Sequence, residues 1–353
     1  MTDAADLETP PLSPERVVQR DLIVVGASAG GVDALQRLVA GLPAELPASI
    51  LVVLHLAAGT SVLDQILARA GELPVTQARD GEQLERGHVY VGPPDRHLLV
   101  RGTQLRLSAG PRENGHRPAI DPMFRSAARA YGKRVIGVVL TGTLDDGTDG
   151  LRFIKERGGA TVVQDPADAV YADMPRSAVD WVDPDRVVAL DSMGAVLYDL
   201  LDAPLDPPPE ADVAAAADQE ADIVEVEFGQ PLPPGDGTLI TCPECGGVLI
   251  EKDLGGVTKY SCQVGHAYSP ASLADSQSVS LESALWNAQR TLEERADLLR
   301  RIGKRNHRAN RGTGSRFDER AAAVERHAIT IRDTILRLRA SENGDVAAGE
   351  HGA

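Results

Sequence analysis

The run Leu22-Ile23-Val24-Val25-Gly26-Ala27-Ser28-Ala29-Gly30-Gly31, continuing as Val32-Asp33-Ala34-Leu35-Gln36-Arg37-Leu38-Val39-Ala40, decides the fold. Its opening apolar, largely β-branched residues read as a strand buried on both faces. The glycine-rich turn and the amphipathic run after it read as a strand–turn–helix junction. Outward from this junction the alternation repeats. It passes through SILVVLHL, VLDQILARAG, HVYVGPP, a hairpin HLLVRGTQLRLS, a helix through PMFRSAARAYG, the strand RVIGVVLTG, the helix GLRFIKERGG and the short strand ATVVQD. Strands alternating with helices predict an α/β domain over residues 21–203, built on a largely parallel, doubly wound, Rossmann-like sheet with helices on both faces.

At 353 residues the chain has room for that domain and a smaller second unit. A formal net charge of −16 argues against nucleic acid as the main partner, because phosphate binding needs a basic face. No apolar run reaches the roughly 18–20 residues that a bilayer crossing requires. Residues 1–20 form a lead without the apolar core of a secretion signal, so a cytoplasmic protein without membrane insertion is expected.

Between Asp206 and Glu227 stand eight carboxylates and three consecutive prolines without a Lys or Arg, and residues 204–237 read as a solvated acidic linker. All three cysteines follow it, in TCPECGGVLIEKDLGGVTKYSCQVGHAYS. Cys242-x2-Cys245 and Cys262-x3-His266 form two knuckles that can close a tetrahedral Cys3His site, so residues 238–272 read as a zinc-ribbon-like unit holding a structural Zn²⁺. A metal-free fold and a redox cysteine pair are the competing readings. Residues 273–340 read as a helical hairpin, apolar at Leu281, Leu285, Ala288 and Leu292 and at Val324, Ala328, Ile331, Ile335 and Leu338. Gly312–Ser315 reads as its turn, and residues 341–353 as a disordered tail.

Gly26-Ala27-Ser28-Ala29-Gly30 satisfies G-x-S-x-G in the strand–turn–helix context that exposes a nucleophilic hydroxyl. The Ala29 amide, at the opening of a helix, is placed to donate to an oxyanion. A phosphate-binding turn is the rival, but the dinucleotide fingerprint needs glycine where Ser28 stands, and no Lys-Ser or Lys-Thr follows to make a P-loop. His55 closes the apolar run ILVVLHL, one strand–helix–strand unit after Ser28, and so suits the general base. Asp145, Asp146 and Asp149 follow the strand RVIGVVL in LTGTLDDGTDGL, and spacing alone does not choose among them as the orienting acid. The serine, the histidine and this acidic loop each fall at the carboxyl end of a different parallel strand, where open α/β sheets place their ligands.

In combination and order, VVGASAGGVDALQ, VVLHL, YVGPPDRHL, HRPAIDPMF, VVLTGTLDDGTDGL, VVQDP and ADMPRSAV resemble the catalytic domain of chemotaxis protein-glutamate methylesterases of the CheB type. The resemblance implies a nucleophile at Ser28, a histidine at His55 and an aspartate at Asp146, the one immediately before Gly147. It also implies that Met174-Pro175-Arg176 lines the crevice or supports it. The activity it implies is hydrolysis of glutamyl methyl esters on a chemoreceptor or sensory protein, releasing methanol, with deamidation of receptor glutamines by the same acyl-enzyme chemistry. No cofactor is implied for catalysis. The sequence departs from the family in three places. Only about twenty residues precede the first strand where well-known members carry a receiver domain, which points to a separate receiver or kinase protein as regulator. Ala29 stands where threonine is common, and Thr143 where methionine is common. The alternative reading is a signalling scaffold that works through its zinc and helical tail.

Overall fold

A computed structural model describes residues 19–56, 59–205, 237–253, 258–307 and 311–349. The expected lead falls outside these residues except at its last two positions, and the expected acidic linker falls outside them between 206 and 236. The described residues form two compact units divided between Leu273 and Ala274. Among them no helix is long and apolar enough to cross a membrane.

The first unit begins with β1 (Leu22–Ala27), α1 (Gly31–Ala40), β2 (Ser49–Leu54), α2 (Leu63–Ala68), β3 (Val75–Gln77) and β4 (Val89–Val91). A hairpin of β5 (His97–Arg101) and β6 (Gln104–Ser108) leads to α3 (Ile120–Tyr131), β7 (Val135–Val139) and α4 (Thr148–Glu156). β8 (Ala160–Gln164), α5 (Asp173–Val182), β9 (Arg186–Val188) and α6 (Leu190–Asp202) complete the series. Seven strands form one sheet in the order β3-β4-β2-β1-β7-β8-β9, and every neighbouring pair is parallel. The doubly wound parallel sheet expected from the alternation is therefore present, with β1 at its centre.

Alternate residues of β1 feed two cores. Ile23, Val25 and Ala27 pack with α1, α2 and α6, whereas Leu22 and Val24 pack with α3, α4 and α5. This is why the strand reads as unbroken apolar sequence rather than as an alternating one. Gly26 sits where α3 comes closest, and a Cβ there would collide with the Ile120 side chain. Gly26→Ala is expected to destabilise the chain by about 1–3 kcal/mol, as overpacking does. A drop in the urea midpoint checks this, and an unchanged midpoint would mean that α3 yields without cost.

Four antiparallel strands follow in the same unit, β10 (Gly237–Thr241), β11 (Val248–Asp253), β12 (Thr258–Cys262) and β13 (Ala267–Tyr268). Their small core holds Cys242, Leu249, Cys262, Tyr268 and Leu273.

α7 (Pro270–His307) begins before the boundary, with proline at its first position, and α8 (Arg311–Gly349) lies wholly in the second unit. In that unit one helix buries Gln289, Ala296 and Leu299 and half-buries Leu285 and Leu292, a spacing that alternates three and four. The other does the same with Ala321, Val324, Ala328, Ile331, Ile335 and Leu338. This is the seam of a two-stranded coiled coil. Arg300–Glu325, Arg332–Glu293 and Arg339–Glu282 pair across it.

Three expectations are corrected here. Leu281 and Ala288 are exposed, because the three–four spacing puts Gln289 on the seam instead. Gly312–Ser315 is helical rather than a turn. Gly314 is buried there, its carbonyl 3.3 Å from where a Cβ on Gly303 would stand, so small residues serve close helix approach. Residues 341–349 continue the helix, because each further residue adds one hydrogen bond to an existing helix and no proline stops it. Residues 350–353 of the expected tail lie outside the described residues.

Candidate active site

β2, β1 and β7 are adjacent, so Ser28, His55 and the loop carrying Asp146 leave the sheet side by side at one carboxyl edge. Backbone bonds continue past the strand ends, from the Ser28 N–H to Thr141 O at 3.0 Å and from the His55 N–H to Ala27 O at 3.2 Å. His55 Nδ1 lies 3.0 Å from Ser28 Oγ, and His55 Nε2 lies 2.7 Å from Asp146 Oδ2. A carboxylate can only accept, so Asp146 fixes the ring hydrogen on Nε2 and leaves the Nδ1 lone pair facing the hydroxyl. Asp145 and Asp149 point elsewhere. Asp145 accepts from Ser269 and Ser272, and Asp149 pairs with Arg125, Arg152 and Lys259.

Asp146 is 2 % exposed and fully occupied. Besides His55 it accepts from the Ile120 N–H at 2.7 Å, the Asp121 N–H at 3.3 Å and Asn114 Nδ2 at 2.9 Å. Two of these donors open α3, where the helix dipole favours a negative charge. Burial alone would raise its pKa, but the bonds from His55 and Ile120 outweigh burial and hold Asp146 well below the ordinary carboxylate range. Asp121 is the opposite case, since burial and then the Asp146 charge push its carboxyl well up. It accepts from the N–H groups of Gly147 and Gly150 at the start of α4.

The turn that carries Ser28 is held by backbone and by Thr141. The Gly31 N–H returns to Ser28 O at 2.9 Å, and Gly30 takes φ +73°, a conformation suited to glycine. Thr141 Oγ1 donates to Ala29 O and accepts from the Tyr171 N–H. Ala29 lines the cleft together with Ser28, and none of these bonds uses its N–H. Met174 and Pro175 are buried and Arg176 is exposed, and a Cβ added at Gly142 would collide with Met174 Sδ and stand 2.8 Å from Ser28 Cβ.

A cleft of about 490 Å³ opens over Ser28, lined also by Ala29, His55, Arg112, His116 and Arg117. His116 stacks on His55 with ring centroids 3.7 Å apart and faces Asn114 O through Nδ1 at 2.7 Å. Sequence reasoning quoted the HRPAIDPMF motif without giving His116 a role, and Asn114 and Thr141 carried no signal of their own. Burial, and next the neighbouring His55, lower the His116 pKa to about 4. The unfolded chain therefore binds a proton at this residue between roughly pH 6.5 and 4 that the folded chain refuses, and stability falls as pH drops through that window. His116→Phe, which keeps the stack, is expected to flatten this part of a urea-midpoint-against-pH profile. A profile of unchanged slope would mean that His116 titrates normally.

Cys242, Cys245, Cys262 and His266 lie together, their ligand atoms within 4.8 Å of one another. His266 Nδ1 is 3.6 Å from Cys242 Sγ and 3.5 Å from Cys262 Sγ, and Cys245 Sγ is 3.6 Å from Cys262 Sγ. Zn–S and Zn–N bonds of about 2.3 and 2.05 Å at tetrahedral angles give S···N and S···S edges of about 3.6 and 3.8 Å. The cluster is thus compatible with a structural zinc. Glu244 lies 3.3 Å from His266 Nε2, the nitrogen that faces away from the cysteines.

The CheB methylesterase family model matches residues 23–197. Among curated relatives, "Protein-glutamate methylesterase/protein-glutamine glutaminase 2" of Anaeromyxobacter dehalogenans is 42 % identical over 189 residues, 53 % of this chain and 55 % of that protein. A Leptospira interrogans protein, provisionally named for the same two activities, is 39 % identical over 182 residues, 51 % of this chain and 94 % of that protein. The crystal structure of the Thermotoga maritima CheB methylesterase catalytic domain matches with a TM-score of 0.50 at 34 % identity, covering 52 % of this chain and 100 % of that one. The chain spans about half the length of the first curated relatives it matches, 55 % of the Anaeromyxobacter protein and 51 % of one from Methanosarcina mazei. With a relative matched over 94 % of its length and a solved catalytic domain covered in full, the chain belongs to the CheB methylesterase family.

Proposed function

We propose that this chain is a protein-glutamate methylesterase with Ser28 as nucleophile, His55 as general base and acid, and Asp146 as the acid that orients His55. The observation that carries the reading is the hydrogen-bonded series from Ser28 Oγ through His55 to Asp146, at 3.0 and 2.7 Å, on three adjacent strand ends. Ser28 Oγ attacks the ester carbonyl as its proton passes to His55 Nδ1, and the Ala29 N–H holds the oxyanion. Methanol leaves with that proton, and a glutamyl ester of Ser28 remains. Water activated by His55 then cleaves it and frees the glutamate carboxylate. Glutamine would follow the same path with ammonia as leaving group.

The surroundings fit a protein substrate. Val170 and Tyr171 are 74 % and 45 % exposed beside the Gly30 turn, and Arg112 at the cleft suits the carboxylates that neighbour a methylated glutamate on a chemoreceptor. We assign the protein to the cytoplasm, in a phosphorelay pathway with a separate receiver or kinase partner, and a structural Zn²⁺ to the Cys3His ribbon. Methanol release from a methylated receptor preparation tests the reading. The chain should release methanol and its Ser28→Ala variant should not. No release from either protein, on a substrate that a related esterase demethylates, would refute it.

A further inference from the structure

The loop between β6 and α3 is held on one face by the ribbon and acts on the triad with the other. At its ribbon side, the Asn114 N–H donates to Ala267 O at 2.8 Å, and the Ala267 N–H donates to Arg112 O at 3.3 Å. The Ser269 N–H donates to Asn114 Oδ1 at 3.0 Å. At its triad side, Asn114 Nδ2 gives one hydrogen to Asp146 Oδ1 at 2.9 Å and the other to Asp121 Oδ2 at 3.0 Å. Asn114 is 3 % exposed and holds a left-handed φ of +52°, which asparagine tolerates better than most residues. Every hydrogen of its amide is used, so its position is over-determined.

A second anchor sits beside the first. Lys259 of β12 is buried between Glu113 and Asp149, and Glu113 also takes both terminal nitrogens of Arg125, at 2.9 and 2.7 Å. Ser269 and Ser272 hold Asp145, the residue before Asp146, at 2.8 and 3.1 Å. Of the residues that make these bonds, Lys259 lies on β12, Ala267 on β13, Ser269 just after it and Ser272 in the first turn of α7, and Cys262 and His266 sit at the ends of the connection between β12 and β13. A unit with so small a core depends on its ligands for shape.

We propose that the Cys3His ribbon is a metal-dependent brace for the esterase: it holds Asn114, a positioning residue, and Asn114 fixes the Asp146 carboxylate against His55. Metal loading then sets turnover without any contact between metal and substrate. The proposal rests on the triad and zinc assignments above.

The test uses the full-length chain, with zinc content measured by atomic absorption and turnover on p-nitrophenyl acetate. Asn114→Ala should keep its zinc and its KM while kcat falls about 10- to 100-fold, the usual cost of loosening a supporting shell. Stripping zinc from the wild type should lower kcat by a similar factor, and added Zn²⁺ should restore it. Stripping the Asn114→Ala variant should change kcat no further, because both perturbations break one linkage. An unchanged kcat in Asn114→Ala, or equal further losses on stripping both proteins, overturns the brace. Stripping the wild type needs no substitution, so an unchanged kcat there overturns it even where Asn114→Ala fails to fold. A chain that takes up no zinc, or a Ser28→Ala variant that still turns over, removes the assignments beneath the brace and the brace with them.

Discussion

Ser28→Ala is expected to lower kcat by about 10⁴- to 10⁶-fold, with the residue left over coming from binding and oxyanion donation alone. The loss is large because the step is covalent: without Oγ no atom lies 3.0 Å from His55 to form the acyl bond. KM should move little, since the hydroxyl is one small group in a cleft lined by Arg112, His116 and Arg117. Folding should survive, because the turn is tied through the backbone N–H and carbonyl of Ser28 and not through its side chain. Circular dichroism together with single-turnover kinetics separates the two effects. A folded variant with more than about one per cent of wild-type kcat would remove Ser28 from the mechanism, given the losses that such nucleophiles show elsewhere.

Asp146→Asn should lower kcat by about 10⁴-fold, the loss expected when the histidine is left in the wrong tautomer. Asp146 receives four donors, from His55, Asn114, Ile120 and Asp121. An amide offers only one acceptor oxygen, so its NH₂ group must face some of these donors. If the NH₂ faces His55, Nε2 must give up its hydrogen and Nδ1 becomes a donor that cannot take the Ser28 proton. The buried donors left unpaired should also destabilise the fold by roughly 1–3 kcal/mol. A pH–rate profile and a urea midpoint, read on the same protein, test both parts. A variant that keeps wild-type kcat would show that His55 needs no orienting acid.

Legibility was uneven for physical reasons that particular residues make plain. A parallel strand is buried on both faces, so Leu22–Ala27, Ser49–Leu54 and Val135–Val139 announce themselves as apolar runs, and the residues after them are the strand ends. Gly26 and Gly30 were both legible as glycines of a tight turn, yet only Gly30 has a positive φ, while Gly26 is needed for the approach of Ile120. The knuckle spacing of Cys242 and Cys245 is local, and so readable. Asn114 had no such signal. It is an ordinary turn residue in sequence, and its partners Asp146, Ala267 and Ser269 lie 32 or more positions away.

The sequence by itself determined the alternation of strand and helix, the three strand ends that carry Ser28, His55 and Asp146, and the grouping of three cysteines and a histidine after the linker. These depend on periodicity and short spacing, which local sequence records. Tertiary structure alone decided that β1 lies between β2 and β7, that His116 stacks on His55, and that Lys259 reaches Glu113 across 146 positions of chain. Such contacts form only when distant segments are brought together to bury apolar surface, and no local pattern along the chain encodes which segments meet.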